Sequence, residues 1–131
     1  MKVKSPSSLQ VLGWTDDVAA LMRAASILVT KPGGLTIAEA ALCSLPTVFF
    51  DPIPGAEFVN ARRMVDAGAA VMSSSANETV SIVLKLLRDE HLRRTMSLSA
   101  NRIARPNARR EIAQLVLDMA APAAMPRRMT A

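Results

Sequence analysis

Ser26-Ile27-Leu28-Val29-Thr30-Lys31-Pro32-Gly33-Gly34-Leu35-Thr36-Ile37-Ala38-Glu39-Ala40 changes character twice, and that change decides the fold class. Its first part carries a short β-branched apolar run, which reads as a buried strand. Lys31-Pro32-Gly33-Gly34 breaks the run, and residues 35–44 read as a helix. A strand that turns through paired glycines into a helix lets a ligand approach the backbone. It also aims the unpaired amides of the first helical turn outward, with the positive end of the helix dipole. That geometry suits a phosphate. The spacing is neither G-x-G-x-x-G nor the Walker P-loop. A tight turn with no ligand reads equally well. Thr36-Ile37-Ala38-Glu39 fits a capping box, with Thr36 as the N-cap and Glu39 three residues on. Alternatively, the Glu39 carboxylate accepts hydrogen bonds from a sugar diol, as acids do in nucleotide-binding folds.

Working outward, the same alternation recurs. Leu9-Gln10-Val11-Leu12-Gly13-Trp14 reads as a strand closed by glycine, and Thr15-Asp16-Asp17 offers a cap to a helix with Val18, Leu21, Met22 and Ala25 on one face. Pro46-Thr47-Val48-Phe49-Phe50-Asp51 is a third strand, residues 57–67 a helix capped by Gly68, and residues 69–72 a fourth strand. Helices near 77–89, 90–104 and 107–120 follow. Strands alternating with helices imply βαβ units and a parallel sheet of about four strands, with helices on both faces and a helical C-terminus. In such sheets ligands bind beyond the carboxyl ends of the strands. The loops that matter are therefore 13–17, 30–36 and 51–57.

Composition limits the alternatives. The 131 residues are 50% apolar, with no tyrosine and 3% aromatics, which suits close helix–sheet packing better than an aromatic-rich β-sandwich. Cys43 is the only cysteine and His91 the only histidine, so neither an internal disulfide nor a Cys/His finger can form, and no metal site is expected. Residues 1–8 lack the apolar core of a secretory signal, and no apolar run is long enough to span a membrane. A cytoplasmic location, peripheral at a membrane surface at most, is the expectation. The net charge of +5 is uneven: residues 1–84 hold six Lys/Arg against seven acids, and residues 85–131 hold ten against four. A basic surface attracts anionic lipid, phosphorylated substrates or nucleic acid. The simpler reading is a solvated Arg-rich helix face. No basic–aromatic interleaving marks an RNA binder, and no nucleic-acid partner is expected.

Asp51-Pro52-Ile53-Pro54-Gly55-Ala56-Glu57 is a stiff loop, because its prolines restrict φ. It can hold a polar group at a ligand; Asp51 or Glu57 reads equally as an acid at a helix start. Trp14 reads as a core or rim anchor, and His91 as solvated.

Three ordered segments carry a resemblance. Residues 11–17, residues 28–40 and residues 45–57 with Asn60-Ala61 resemble the donor-binding half of GT-B glycosyltransferases. The nearest in pattern are the diacylglycerol glucosyltransferase and monogalactosyldiacylglycerol synthase family, with MurG more distant. The fold this implies is a partial Rossmann-like sheet, the GT-B C-terminal domain. The resemblance implies a UDP-sugar donor and no cofactor. Residues matching Trp14 and Thr15 hold uracil, those matching Gly33, Gly34, Leu35 and Thr36 cradle the diphosphate, and the one matching Glu39 binds ribose. Residues matching Ala56 and Glu57 face the donor sugar, with Asn60 nearby; the family usually carries Gln or His where Ala56 stands.

The resemblance further implies inverting sugar transfer to a lipid-type acceptor, with the general base outside this chain. The implied organisation is a leader over 1–8, a donor-binding domain over 9–121 lacking its first two strands, and a flexible tail over 122–131. An acceptor-domain protein and an anionic membrane are the implied partners. A direct pairing of the strand at 9–13 with that at 27–30, or a gap filled by another chain, is expected. The rival readings are a non-catalytic UDP or UDP-sugar binder, a truncated enzyme fragment, and a basic helical surface that has repurposed the fold.

Overall fold

The computed structural model describes residues 9–120; the leader and tail expected from sequence lie outside the described residues. The order is α1 (Val18–Ala24), β1 (Leu28–Thr30), α2 (Gly34–Leu42), β2 (Thr47–Phe50), α3 (Ala56–Asp66), β3 (Ala70–Ser73), α4 (Ala76–Arg88), α5 (Glu90–Ile103) and α6 (Ala108–Ala120). The three strands form one parallel sheet in the order β1-β2-β3, with Val29 opposite Val48 and Val48 opposite Val71.

Strand alternation divides the core into two layers. Phe49, Ala70 and Met72 point to one face, where Ile37 of α2, Ala61 and Met64 of α3 and Ala100 of α5 close over them. Val48 and Val71 point to the other, against Ile82, Val83 and Leu86 of α4 and Leu92 and Met96 of α5. Helices thus cover both faces, as the alternation predicts. Phe49, Val48 and Leu86 are almost wholly buried, and each such side chain contributes about 1.5–3 kcal/mol. The small residues at Ala40, Ala61, Ala69 and Ala100 are buried at helix and strand contacts. They let backbones approach closely where aromatics are scarce.

Helix α5 ties down the segments that lead into β2 and β3. Asn101 Nδ2 donates to Ser44 Oγ at 3.1 Å, just before β2, and Ser99 lies against Gly68, just before β3. Gly68 sits at φ +74 and closes α3, its amide donating to Val65 O while Ala69 N donates to Met64 O. Arg93 Nη1 bonds the carbonyl oxygens of Leu86 and Leu87, closing α4. A hollow of about 490 Å3 remains at the amino ends of β1 and β2, lined by Ser26, Ser44, Arg93 and Arg94 among others; in parallel sheets of this kind it is the carboxyl ends that carry ligands.

One expected strand does not form. Among the described residues, 9–13 run without a sheet partner, Val11 and Leu12 are exposed, and the sheet has three strands rather than about four. The expected direct pairing with residues 27–30 is absent: among the described residues β1 bonds only β2. The reason is physical. Apolar composition marks where a strand can be buried, but a strand exists only where a neighbour supplies its hydrogen bonds. Helix α1 shares this exposed side: only Met22 of its apolar face is buried, against Ala40 and Leu45, while Val18 and Leu21 remain exposed.

Candidate functional site

At the carboxyl end of the sheet the first connection is the turn between β1 and α2. Pro32 is fully buried, and Gly33, in extended conformation at φ −64 and ψ 141, caps α2 without a side chain. Gly33 N donates back to Lys31 O at 2.9 Å. The first helical bond runs from Ile37 N to Gly33 O at 3.0 Å. The amides of Gly34, Leu35 and Thr36 therefore precede any intrahelical acceptor, and no acceptor takes them among the described residues. Three adjacent donors at a helix start form a cradle for a tetrahedral anion.

This geometry corrects the capping-box reading. Thr36 is the third residue of α2 and not its cap, because the helix starts at Gly34. Extended Gly33 lets the chain enter the helix directly after Pro32, so Thr36 is already helical and its hydroxyl is not placed to cap. Glu39 is consequently free of that task. It stands exposed on α2, with no side-chain hydrogen bond or ion pair among the described residues.

The second connection leaves β2 through Asp51, whose φ of 45 is left-handed. Lys31 Nζ lies 3.2 Å from Asp51 Oδ2, an ion pair that joins the first loop to the second. Being exposed, it is worth at most about 1 kcal/mol. Gly55, at φ +103 and ψ −127, turns the loop into α3, a conformation that a side chain would strain. Glu57 Oε2 accepts from Ile53 N at 3.0 Å, bracing the loop from the first turn of α3. Ala56, the first residue of α3, is exposed. Half-buried Asn60, one turn further along, donates from Nδ2 to Pro32 O at 3.3 Å.

The structure thus ties the turn that leads into Gly33, Gly34, Leu35 and Thr36 to the connection and helix start that bear Asp51, Ala56 and Glu57, through the Lys31–Asp51 pair and the Asn60–Pro32 bond. Trp14 and Thr15 stand apart from this set. Trp14 is 94% exposed and its Nε1 donates to Asp16 Oδ1 at 3.0 Å, while Thr15 Oγ1 accepts from Asp17 N at 3.2 Å. These are local contacts that lead into the Asp17 cap of α1. No hydrogen bond joins either residue to the glycine turn among the described residues. His91 is exposed on α5, as expected.

A third connection, after β3, is absent from the sequence reading. Ser73 Oγ donates to Phe49 O at 3.0 Å and meets Thr79 Oγ1 at 2.7 Å, tying the end of β3 to β2 and α4. Ser73 and Thr79, with Phe50, Asp51 and Pro52, line a hollow of about 330 Å3. The Ser74 hydroxyl and amide both donate to Glu78 and hold its carboxyl below the usual carboxylate range. The signal was present as Ser75-x-x-Glu78, a capping pattern in which Ser75 Oγ does accept from Glu78 N. Among the described residues no group of three or more His, Cys, Asp or Glu could hold a metal ion.

Comparison with known proteins identifies the family. Residues 2–116 match the glycosyltransferase family 28 C-terminal domain. The chain belongs to that family. The processive diacylglycerol β-glucosyltransferase of Bacillus cereus strain AH187 is 32% identical over 117 residues, covering 89% of this chain and 30% of that protein. The namesake enzyme of Bacillus anthracis strain CDC 684 is 33% identical over 113 residues, covering 86% and 29%. In fold, the crystal structure of Acinetobacter baumannii MurG matches with a TM-score of 0.73 at 28% identity, covering 84% of this chain and 33% of that one. The chain therefore spans about a third of the length of the relatives it matches. The Rossmann-like GT-B fold expected from its motifs is the fold it has, and the glycine turn of this family 28 domain heads its second helix.

Proposed function

We propose that this family 28 domain binds a UDP-sugar and presents it for transfer of the sugar to the hydroxyl of a lipid-type acceptor, held by a separate acceptor-binding part. The observation that carries this reading is the amide triplet of Gly34, Leu35 and Thr36 at the carboxyl end of the sheet, which no acceptor takes among the described residues. Diacylglycerol glucosyltransferases are among its relatives, which supports a lipid-directed reaction.

In this reading the amides take the diphosphate and Glu39 takes the ribose hydroxyls, while Trp14 and Thr15 take the uracil. Ala56 and Glu57 face the sugar. The acceptor oxygen attacks the anomeric carbon as the bond from that carbon to the UDP oxygen breaks, with inversion. The acceptor proton passes to a base on the acceptor-binding part, and the electron pair leaves with UDP. Negative charge then grows on the β-phosphate, where pre-positioned amides stabilise it without reorganising; such a donor is worth a few kcal/mol in comparable sites. The exposed arginines Arg102, Arg105, Arg109 and Arg110 offer peripheral contact with an anionic, cytoplasm-facing membrane that carries the acceptor. No helix among the described residues is long and apolar enough to cross a membrane.

Titration of the chain with UDP, followed by amide chemical shifts, tests the proposal. Saturable shifts at Gly34, Leu35 and Thr36 are expected. Shifts that never saturate, or that fall elsewhere, overturn it. One observation favours a non-catalytic binder: Ala56 offers the sugar no side-chain hydrogen bond. Transfer activity in the presence of an acceptor-binding partner separates the two readings.

A further inference from the structure

Resting on that reading, we infer that Asn60 is a positioning residue, whose side-chain amide sets the diphosphate turn and couples it to the sugar-facing end of α3. The bond from Asn60 Nδ2 to Pro32 O spans 28 positions of sequence and is half-buried. It reaches the one carbonyl in the Lys31-Pro32-Gly33 turn that no backbone amide satisfies among the described residues, since Lys31 O takes Gly33 N and Gly33 O takes Ile37 N. A Cβ built on Gly34 would lie 3.8 Å from the same Nδ2, so the amide sits directly against the residue that starts the cradle.

Two consequences follow from the chemistry. A carbonyl oxygen beside bound phosphate repels it; a donor on that oxygen holds it toward α3 and offsets its partial charge. Asn60 also stands four residues after Ala56, on the same side of α3. Its bond to Pro32 thereby fixes the distance between the two helix starts, one facing the diphosphate and the other the sugar. The Lys31–Asp51 ion pair spans the same gap but is exposed, which leaves the half-buried amide as the stiffer tie.

The test compares UDP, UDP-glucose and uridine on the full chain, by amide chemical shifts. Asn60→Ala is expected to bind UDP about tenfold more weakly, the effect of one net hydrogen bond, with uridine affinity unchanged. In the wild-type protein the Asn60 side-chain NH2 resonances should move with UDP and stay in place with uridine, a measurement that requires no variant. Equal loss for UDP and uridine would show general damage and overturn the inference. Loss confined to UDP-glucose would make Asn60 a sugar ligand and also overturn it, as would unmoved NH2 resonances at saturating UDP. Failure of the wild-type chain to bind UDP at all defeats the functional reading itself, and so is told apart from these results.

Discussion

Replacing Glu39 by alanine separates two roles that the sequence alone leaves entangled. Were Glu39 part of a capping box with Thr36, its loss would destabilise α2 by about 0.5–2 kcal/mol, with or without ligand. The structure removes that role, because α2 is capped by Gly33 and begins at Gly34. Glu39 lies beyond the first turn, exposed and without a side-chain partner among the described residues. Alanine is, moreover, the best helix former, so the substitution should be neutral or stabilise by a few tenths of a kcal/mol. The ligand-free melting temperature should therefore stay within about 2 °C of the wild type. If the carboxylate accepts the ribose hydroxyls, UDP binding loses one charge-assisted interaction worth about 1.5–3 kcal/mol, or roughly 10- to 150-fold in Kd. Calorimetric titration with UDP, run beside a thermal melt of each protein, reads both quantities. Equal UDP affinity in the two proteins refutes the ribose assignment. A melting temperature lowered by several degrees refutes the placement of the helix start.

Further outcomes test the loop and the caps. Ala56→Gln should raise affinity for UDP-sugar relative to UDP, and an unchanged ratio in competition titrations would mean that this loop does not reach the sugar. Gly55→Ala forces a side chain into φ +103 and should cost about 1–3 kcal/mol in chemical denaturation; a cost near zero would show that the loop relaxes freely. Glu78 has a folded-state pKa below its unfolded value of about 4.3, because Ser74 donates to its carboxylate. Its contribution is present above the unfolded value and is lost as pH falls through the folded one. Glu78→Gln should therefore flatten part of the acid limb of the stability–pH curve below about pH 4, and an unaltered limb would contradict the Ser74 contacts.

Most of the fold was legible because it is written in local signals. The Lys31-Pro32-Gly33-Gly34 break, the Gly68 cap and the alternation of short apolar runs with helices place β1 to β3 and α1 to α6 to within a few residues. Two failures share one cause, in that a local pattern was read without its partner. Residues 9–13 have a strand's composition but no neighbour to pair with among the described residues. Thr36-x-x-Glu39 has the spacing of a capping box, yet extended Gly33 starts the helix first, whereas the same spacing at Ser75 and Glu78 does cap α4. At the site, the glycine turn and the proline-rich loop could be found because both break a periodic pattern. The ties between them could not. Asn60 to Pro32 and Lys31 to Asp51 are contacts between distant positions, and nothing in single-sequence periodicity marks them.

Among the described residues one flank of β1 has no strand partner, and this has a consequence for handling the chain. An open strand is a template on which other chains can add, and Val29 lies exposed along this one. Yet β1 is only three residues long, and Lys31 and Pro32 follow it at once. A charge and a residue with no amide hydrogen are the usual means of blunting such a template. Shortness and punctuation thus guard the flank against fibrillar growth. The same Lys-Pro step that leads the chain into α2 also serves as its gatekeeper against aggregation.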